Sequence, residues 1–489
     1  MTILVLDIGS SSVRAMLFDE YARPIPGAEA RLAHQLTTVP AGASVIDAES
    51  LCLNLEQVIG TLLSHPAARH IQAVAMDTFV GNILGVDADG RPLTPVFTYA
   101  DTRCAEDIEY LRQHVNLHDS HQRTGCVLHT AYLPGRLHWL RRTHPSLFAA
   151  VYEWVDFGTY VYRRWFAHTD VPCSYSVAAW TGLLNRQTLA WDETWLRILE
   201  IPVHTLSGLS DYDTHTYTLS NDYANKWPEL EGVPFLLAIG DGAAANVGSG
   251  CLTPERLALT IGTTAAIRVA STLYPDPVPA GLWSYRITAK THLTGGATSE
   301  GGNIFAWARE VLNLTDLRDL DKTLANRPAD AHGLTFLPLL AGERSPGWQA
   351  QATGTVHGLR LSTSALDIVQ AALEGVALRL SIIADQLSPF MDAETDVIAG
   401  GGAVQNSNVW TQMIANALNR PIHVTDDAEV TARGTALLAL RALDLPLPDL
   451  TPSIAHVLRP QPDQVERLHH ARQRQSALYQ NLYVSRHEM

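Results

Sequence analysis

Cysteine is scarce in this chain of 489 residues, and the few cysteines are far apart. No Cys-x-x-Cys pair occurs, and none of the 20 histidines belongs to a His-Glu-x-x-His motif. An odd set of dispersed thiols argues against a disulfide framework or a zinc site. The cysteines are Cys52, Cys104, Cys126, Cys173 and Cys251. We expect them to be reduced thiols of a cytoplasmic protein.

Positive charge is also scarce: 35 Lys and Arg stand against 50 Asp and Glu, which gives a net charge of -15. The densest basic segments are the pairs Arg141-Arg142 and Arg163-Arg164, too few for the phosphate contacts of a nucleic-acid surface. No apolar run approaches the roughly 18 residues of a membrane span, and the N-terminus lacks the basic start of a signal peptide. We therefore expect neither a nucleic-acid nor a membrane partner.

The chain does contain an internal sequence repeat. Residues 4–17 read LVLDIGSSSVRAML, and residues 257–270, about half a chain later, read LALTIGTTAAIRVA. Both segments predict a strand, a Gly-hydroxyl turn and a second strand. A length of 489 residues also favours more than one domain. The repeat predicts two related domains, with bounds of 1–245 and 246–489.

Each glycine-hydroxyl turn is a candidate phosphate site. Successive backbone N–H groups in a tight turn form a concave anion site, and Ser or Thr hydroxyls add donors. The copies differ at one position, Asp7 in the first and Thr260 in the second. A carboxylate beside phosphate needs a cation between them, so Asp7 is a candidate Mg²⁺ ligand, bound through water. Each turn taken singly is also compatible with an ordinary hairpin.

Three apolar segments, 71–77, 236–241 and 396–402, end at Asp or Gly and read as strands. Ligands of open α/β sheets bind at such strand ends. A helix is predicted over 366–387, with Ser362 to Ser364 available to cap it. The overall prediction is an α/β fold.

Asp241 follows the second of these strands and precedes a run of small residues that predicts a helix. A carboxylate there is able to accept a proton from a substrate hydroxyl that attacks a γ-phosphoryl group, and it is also a common helix N-cap residue. The glycine run Gly400–Gly402 offers a flat backbone for an adenine ring. It also fits an ordinary turn from strand to helix.

These motifs together resemble the FGGY carbohydrate kinases. The segment GTVHGLRLSTSALDIVQAALEG, residues 354–375, fits the long C-terminal signature of that family. The N-terminal signature is partial, because LPGRLHWL at 133–140 has Arg136 where lysine is usual. The segment SYSVAAWTGLLN at 174–185 resembles the family's sequence before its second half.

The resemblance implies two ribonuclease-H-like, actin-like ATPase domains with a central cleft, and it implies ATP and Mg²⁺ as cofactors. Asp241 corresponds to the catalytic base and Asp7 to the magnesium support. Two further sets are implied to bind ATP. The phosphate-binding set is Gly9, Ser10, Ser11, Ser12, Gly262, Thr263 and Thr264. The adenosine-binding set is Gly400, Gly401, Gly402 and Asn406.

The sugar is harder to predict. Three segments look most like the gluconokinase-like branch, but Val80-Gly81 stands where that family often has Met-His or Trp-His, and Tyr99 replaces a usual Trp. Arg103 is suited to pair with the carboxylate of an acidic substrate, or it forms a surface ion pair with Asp101. The expected substrate-binding residues are Asp77, Thr78, Asn82, Tyr99, Asp101, Arg103 and Asp241.

The predicted function is an ATP-dependent sugar kinase that phosphorylates a hydroxyl of a small sugar, polyol or sugar acid, with a gluconate-like acid as the first candidate. The alternatives are a xylulose- or ribulose-type pentulose kinase and an actin- or Hsp70-like ATPase without a sugar substrate. The sequence leaves the oligomeric state open, with a homodimer as one candidate.

Overall fold

The computed structural model describes residues 1–166, 170–214, 217–312, 320–392, 394–427 and 429–484. Two large mixed sheets dominate this part of the chain, one of five strands and one of seven. No helix within the described residues is long and apolar enough to cross a membrane.

The first sheet is built from the N-terminal half. Its strands are β1 (Thr2–Ile8), β2 (Ser12–Phe18), β3 (Pro24–Ala33), β4 (Ile71–Thr78) and β5 (Ile239–Gly240). Their spatial order is β5-β4-β1-β2-β3. The pairs β1–β2 and β2–β3 are antiparallel, whereas β4 is parallel to both β1 and β5. Every residue of β1 is buried, as expected for an apolar central strand covered on both faces.

The second sheet repeats this pattern and extends it. Its strands are β6 (Arg256–Ile261), β7 (Ala265–Ser271), β8 (Trp283–Arg286), β9 (His292–Thr298), β10 (Asp396–Gly400), β11 (Ile422–Thr425) and β12 (Ile454–Leu458). Their order is β8-β9-β7-β6-β10-β11-β12. Strands β6, β7 and β9 are successively antiparallel, and β10 is parallel to β6, as β4 is to β1. The internal repeat in the sequence therefore corresponds to two sheets with the same strand arrangement. The predicted α/β fold with two ribonuclease-H-like halves is confirmed.

Helices cover both sheets. The helices used below are α1 (Ala48–Leu63), α2 (Asp241–Gly248), α3 (Ala365–Leu387), α4 (Gly402–Asn406), α5 (Val430–Ala442) and α6 (Pro462–Tyr479). The other α-helices are Ala105–His114, Leu117–Thr124, Leu133–Thr143, Pro145–Ala150, Phe157–Trp165, Tyr175–Ala178, Glu193–Leu199, Asn221–Lys226, Asn303–Val311, Leu320–Ala325 and Asn408–Leu418. Short strands pair outside the sheets at Val45–Ile46, Leu84–Val86, Val96–Phe97, Glu153–Val155, Cys173–Ser174, Leu184–Asn185, Ala190–Trp191, Leu209–Ser210, Thr335–Leu337 and Thr355–His357.

Helix α3 confirms the prediction of a capped helix at 366–387. The Asp367 amide donates to Ser364 Oγ at 3.2 Å, and the Ser364 amide donates to Asp367 Oδ2 at 2.8 Å. This reciprocal capping box satisfies two backbone donors that the first turn of a helix otherwise leaves unpaired. Most of the helix is buried in the second core.

Helices α2 and α5 cross in unusually close contact because each has a glycine at the crossing. A Cβ on Gly434 would lie 1.9 Å from the Ala244 carbonyl oxygen, and one on Gly248 would lie 1.7 Å from the Val430 carbonyl oxygen. Helix α5 comes from the second half of the sequence, yet its buried residues from Ala432 to Leu440 belong to the core around the first sheet. The domain bounds 1–245 and 246–489 therefore stay a prediction. In the structure, helix α5 from the second half of the sequence packs into the core around the first sheet.

We expect Gly434→Val to lower the free energy of unfolding by about 1–3 kcal/mol or more, because the added side chain forces the two helix backbones apart. Urea denaturation monitored by circular dichroism measures this change. Gly60→Ala is the matched control, since Gly60 lies on an exposed face of α1 with no atom near its missing Cβ, and this change should leave stability equal or up to about 1 kcal/mol higher. Equal stability of Gly434→Val and wild type would show that the crossing tolerates a side chain.

Candidate active site

The two glycine-hydroxyl turns occupy equivalent places in the two sheets. Gly9 to Ser11 join β1 to β2, and Gly262 to Thr264 join β6 to β7. Each turn is closed by its glycine amide, which donates to Ser12 O in the first turn and to Thr264 O in the second, both at 3.0 Å. The amides of Ser11 and Thr263 have no hydrogen-bond partner within the described residues, and both residues are exposed. The turns therefore keep backbone donors available for an anion.

A cavity of about 300 Å³ lies between the parts of the chain that carry the two sheets. Of the residues predicted from sequence, Asp241, Tyr99 and Thr264 line it. Val80, Gly81, Ala131, Tyr132, Trp180, Gly242, Ala245, Ala266, Arg268, Trp283, Tyr285, Ala297, Arg344 and Thr431 complete the wall. One concave site thus brings a carboxylate from the end of the first sheet next to the turn of the second sheet.

Asp241 is the first residue of α2, with Gly240 as the N-cap. Its carboxylate accepts a hydrogen bond from the Gly242 amide at 2.7 Å, and the helix N-terminus favours negative charge there. Burial nevertheless raises the pKa of Asp241 to about 6; the charge of Asp7 adds to the rise, and the Gly242 amide and Arg268 oppose it. A half-buried carboxylate with this pKa is mostly ionised at neutral pH and is a stronger base than an ordinary aspartate.

Asp7 and Asp77 are cross-strand partners on β1 and β4. Arg14 donates to Asp7 through Nε at 3.0 Å and through Nη2, and it also pairs with Glu429. Asp77 is fully buried: Thr435 of α5 donates to its Oδ2 at 2.7 Å, and no described residue forms a hydrogen bond with its Oδ1. Burial, followed by the charge of Asp7, raises the pKa of Asp77 well above its usual value.

Five predicted substrate contacts do not line the cavity, namely Asp77, Thr78, Asn82, Asp101 and Arg103. Asn82, Asp101 and Arg103 are used in hydrogen bonds inside the protein. Thr78 is fully buried. Asn82 donates to the Phe79 carbonyl and accepts from the Phe157 amide at 2.7 Å. Asp101 accepts from the Ser44 amide at 3.0 Å and from Arg103, which also stacks on Trp139. Asp101 and Arg103 form the ion pair of the alternative, although with Asp101 buried and not at the surface, and a substrate role for these side chains stays a prediction.

Arg136, the residue at the usual lysine position, fixes the loops behind the cavity. Its guanidinium is fully buried and donates to the carbonyls of Gly81 at 2.9 Å, Thr130 at 3.1 Å and Asp101 at 3.3 Å. Gly81 has φ +68°, and a Cβ there would lie 2.9 Å from the Ala131 carbonyl oxygen. The segment that replaces the family's Met-His pair is therefore held close to its neighbours by backbone contacts.

The glycine run borders the second turn. Strand β10 ends at Gly400, and Gly401, with φ +103°, is the N-cap of α4. A Cβ on Gly401 would lie 2.5 Å from the Ile261 carbonyl oxygen, next to Gly262. Asn406 ends α4 and is exposed. This geometry is compatible with a surface for an adenine ring and with an ordinary turn from strand to helix, and the adenosine contact stays a prediction.

Sequence reasoning did not single out three arginines of the site. Arg14 binds Asp7, while Arg268 and Arg344 line the cavity. Arg14 and Arg268 each interrupt an apolar strand shortly after a glycine-hydroxyl turn, and an arginine in a buried strand is a signal that was available. Arg344 follows an acidic residue in a Gly-Glu-Arg-Ser-Pro segment, which reads locally as a surface loop.

Comparison with known proteins agrees with the geometry. A family profile described as the N-terminal domain of the FGGY family of carbohydrate kinases matches residues 2–248, and the profile for the C-terminal domain matches residues 257–443. A gluconokinase of Bacillus licheniformis is 26% identical over 451 residues, which is 90% of this chain and 87% of that protein. A ligand-bound xylulose kinase and a gluconate kinase, both from Lactobacillus acidophilus, have TM-scores of 0.91 and 0.90, each at 23% identity and 99% coverage of both chains.

Proposed function

The chain belongs to the FGGY family of carbohydrate kinases and is an ATP-dependent sugar kinase, and on that premise we propose that it phosphorylates a sugar acid such as gluconate, with Asp241 as the general base. The observation that carries the assignment of the base is that Asp241 and Thr264 line the same cavity. A base from one half thereby faces a phosphate turn of the other. The similarity to a gluconokinase supports the choice of a sugar acid.

In the proposed reaction the substrate hydroxyl lies against the Asp241 carboxylate. Its oxygen forms a bond to the γ-phosphorus as the bond from that phosphorus to the β–γ bridging oxygen breaks, and ADP leaves. The hydroxyl proton passes to Asp241. The turns Gly9–Ser12 and Gly262–Thr264 hold the ATP phosphates through backbone amides and hydroxyls, and Gly400–Gly402 with Asn406 lie on the adenosine side. The exposed amides of Ser11 and Thr263, which have no partner within the described residues, support the placement of the phosphates.

Magnesium fits the residues around Asp7. Asp7 and Asp77 are cross-strand carboxyl groups, and within the described residues one buried Asp77 oxygen beside Asp7 has no hydrogen-bond partner. The described residues contain no group of three or more His, Cys, Asp or Glu side chains that could hold a metal ion. Mg²⁺ characteristically takes one or two carboxylates and completes its shell with water and phosphate oxygens. Asp7 would support the ion, which would supply charge neutralisation to the triphosphate.

The acceptor is tested with a coupled assay of ADP release over gluconate, xylulose, ribulose, glycerol and erythritol, and with a reaction that contains no sugar. We expect the highest kcat/KM with gluconate and little ATP hydrolysis without an acceptor. A clear preference for xylulose or ribulose would make the protein a pentulose kinase. Hydrolysis at the same rate with and without every acceptor would support the alternative of an ATPase.

We expect Asp241→Asn to lower kcat by about 10²- to 10⁴-fold, because the amide cannot accept the hydroxyl proton. ATP binding, measured by calorimetry, should stay within a factor of about 3 of wild type. Asp222→Asn, which changes an exposed carboxylate in a short helix, is the control and should retain full activity. Turnover by Asp241→Asn at near the wild-type rate would rule out Asp241 as the base.

The pH dependence of kcat/KM for the acceptor should reveal the same carboxylate. The base must be ionised, and burial raises the pKa of Asp241 to about 6, so kcat/KM should fall about tenfold per pH unit below pH 6 and level off above it. The residual activity of Asp241→Asn should lack this inflection. A wild-type profile that stays flat down to pH 5 would contradict the assignment.

Asp7→Asn should raise the Mg²⁺ concentration needed for half-maximal velocity, because the amide lacks the charge that holds the hydrated ion. The measurement is a magnesium titration at fixed total ATP, together with Mn²⁺ binding followed by electron paramagnetic resonance. Asp89→Asn, in an exposed ion pair with Arg91, is the control. Titrations of Asp7→Asn and wild type that superimpose would remove Asp7 from the metal site.

A further inference from the structure

Two arginines of the cavity wall, Arg268 and Arg344, form no ion pair with any carboxylate in the described part of the chain. Within the described residues, the Arg344 side chain has no hydrogen bond and no ion pair, although it is half-buried. Arg268 is buried and is likewise in no ion pair. A guanidinium removed from water is normally paired, because the desolvated charge is otherwise costly. Arg344, which has no protein partner among the described residues, is therefore the stronger candidate to contact an anion of a ligand.

Arg268 is directed toward the reacting end of the cavity. Its Nη1 donates to the carbonyl of Gly242, the residue after Asp241, at 3.0 Å, and its Nη2 donates to Thr260 Oγ1 at 2.9 Å. Its charge also acts on Asp241. This position matches the γ-phosphoryl group, which must lie beside the base and the second turn when transfer occurs.

Arg344 interacts electrostatically with the aromatic part of the cavity wall. Burial raises the pKa values of Tyr132 and Tyr285, and the charge of Arg344 opposes that rise. The two tyrosines share a hydrogen bond through their hydroxyls, and the ring of Tyr285 stacks on Trp180 with centroids 3.7 Å apart. The neighbouring His129 is neutral at physiological pH, because burial and then Arg344 lower its pKa to about 4. Arg344 is thus the cation at the aromatic side of the cavity.

The backbone around Arg344 is fixed. Its carbonyl accepts from the Trp348 amide at 2.7 Å, and the Ser345 amide donates to the Ala297 carbonyl at 2.9 Å. The preceding Glu343 is unavailable as a partner, because Arg379 pairs with it and Tyr479 donates to its other oxygen at 2.5 Å. An anchored backbone presents an uncompensated guanidinium, which is the arrangement that recognises a carboxylate with two hydrogen bonds.

We propose that Arg344 binds the carboxylate of the acceptor and so selects sugar acids over neutral sugars. The inference rests on the proposed function, which places the reacting hydroxyl at Asp241. An extended acid then lies along the cavity, with its hydroxyl end at Asp241 and its carboxylate at Arg344. Arg103, the partner expected from sequence, is already bound to Asp101. A neutral analogue leaves Arg344 unpaired, and such a loss gives strong discrimination.

The test compares gluconate with its neutral amide, gluconamide, in wild type, Arg344→Gln and Arg344→Lys. In wild type, kcat/KM should favour gluconate by about 10- to 100-fold, the range of a charged hydrogen-bonded contact. Arg344→Gln should bring the ratio close to 1 by raising KM for gluconate, while kcat and KM for ATP change less than about 3-fold. Arg344→Lys keeps the positive charge but not the planar guanidinium that donates two parallel hydrogen bonds, so it should give an intermediate ratio of kcat/KM for gluconate to kcat/KM for gluconamide. Arg360→Gln, at an exposed arginine outside the cavity, should match wild type.

The outcomes separate this inference from the function on which it rests. A wild type that phosphorylates no sugar acid overturns the proposed acceptor, and the role of Arg344 with it. A wild type that prefers gluconate, with the preference retained in Arg344→Gln, overturns the inference alone. A rise in KM for ATP in place of gluconate would assign Arg344 to a nucleotide phosphate and also overturn it. If thermal unfolding shows that Arg344→Gln is misfolded, the ratio in Arg344→Lys decides: an unchanged ratio counts against the proposal.

Discussion

The close crossing of α2 and α5 is the contact on which the site depends. Two glycines remove the side chains that would separate these helices, so that a helix from the second half of the sequence completes the core of the first sheet. The same pair of helices supplies the site: Asp241 begins α2, Thr431 of α5 lines the cavity, and Thr435 of α5 holds Asp77. The helices that cross at these glycines are therefore the same helices that carry the residues of the site.

Charge is the second constraint. The protein has a net charge of -15, and Asp7, Asp77 and Asp241 lie close enough to influence one another's ionisation. ATP and a sugar acid are both anions, so their binding requires local positive potential. The structure provides it with individual arginines, Arg14 beside Asp7 and Arg268 and Arg344 in the cavity wall, and with the unpaired amides of the turns. A small number of oriented donors in a site of low dielectric has more influence on the binding of these anions than the net charge of the protein has.

Much of the framework could be predicted from local sequence. The paired turns and the capped helix α3 agree with the structure, because each depends on residues that are neighbours in the chain. The strands predicted at 71–77, 236–241 and 396–402 correspond to Ile71–Thr78, the shorter Ile239–Gly240 and Asp396–Gly400. Asp241 was singled out as a candidate base, with a helix N-cap as the alternative; the structure makes Gly240 the N-cap and Asp241 the first helical residue, and the role as base stays a prediction. The predicted sugar contacts stay predictions, and the structure places two of them in hydrogen bonds with distant residues: Asn82 accepts from the Phe157 amide and Asp101 from the Ser44 amide.

The sequence by itself determined the family, the duplicated turns and the acidic residue at the end of a strand, since motif residues and short-range periodicity carry this information. Only the tertiary structure decided which arginines are paired and which face the cavity. Glu343 precedes Arg344 in the chain, but it pairs with Arg379 of α3, and Arg103 is taken up by Asp101. Ion pairing depends on distance in space and on the cost of burial, and neither can be read from the order of residues along the chain.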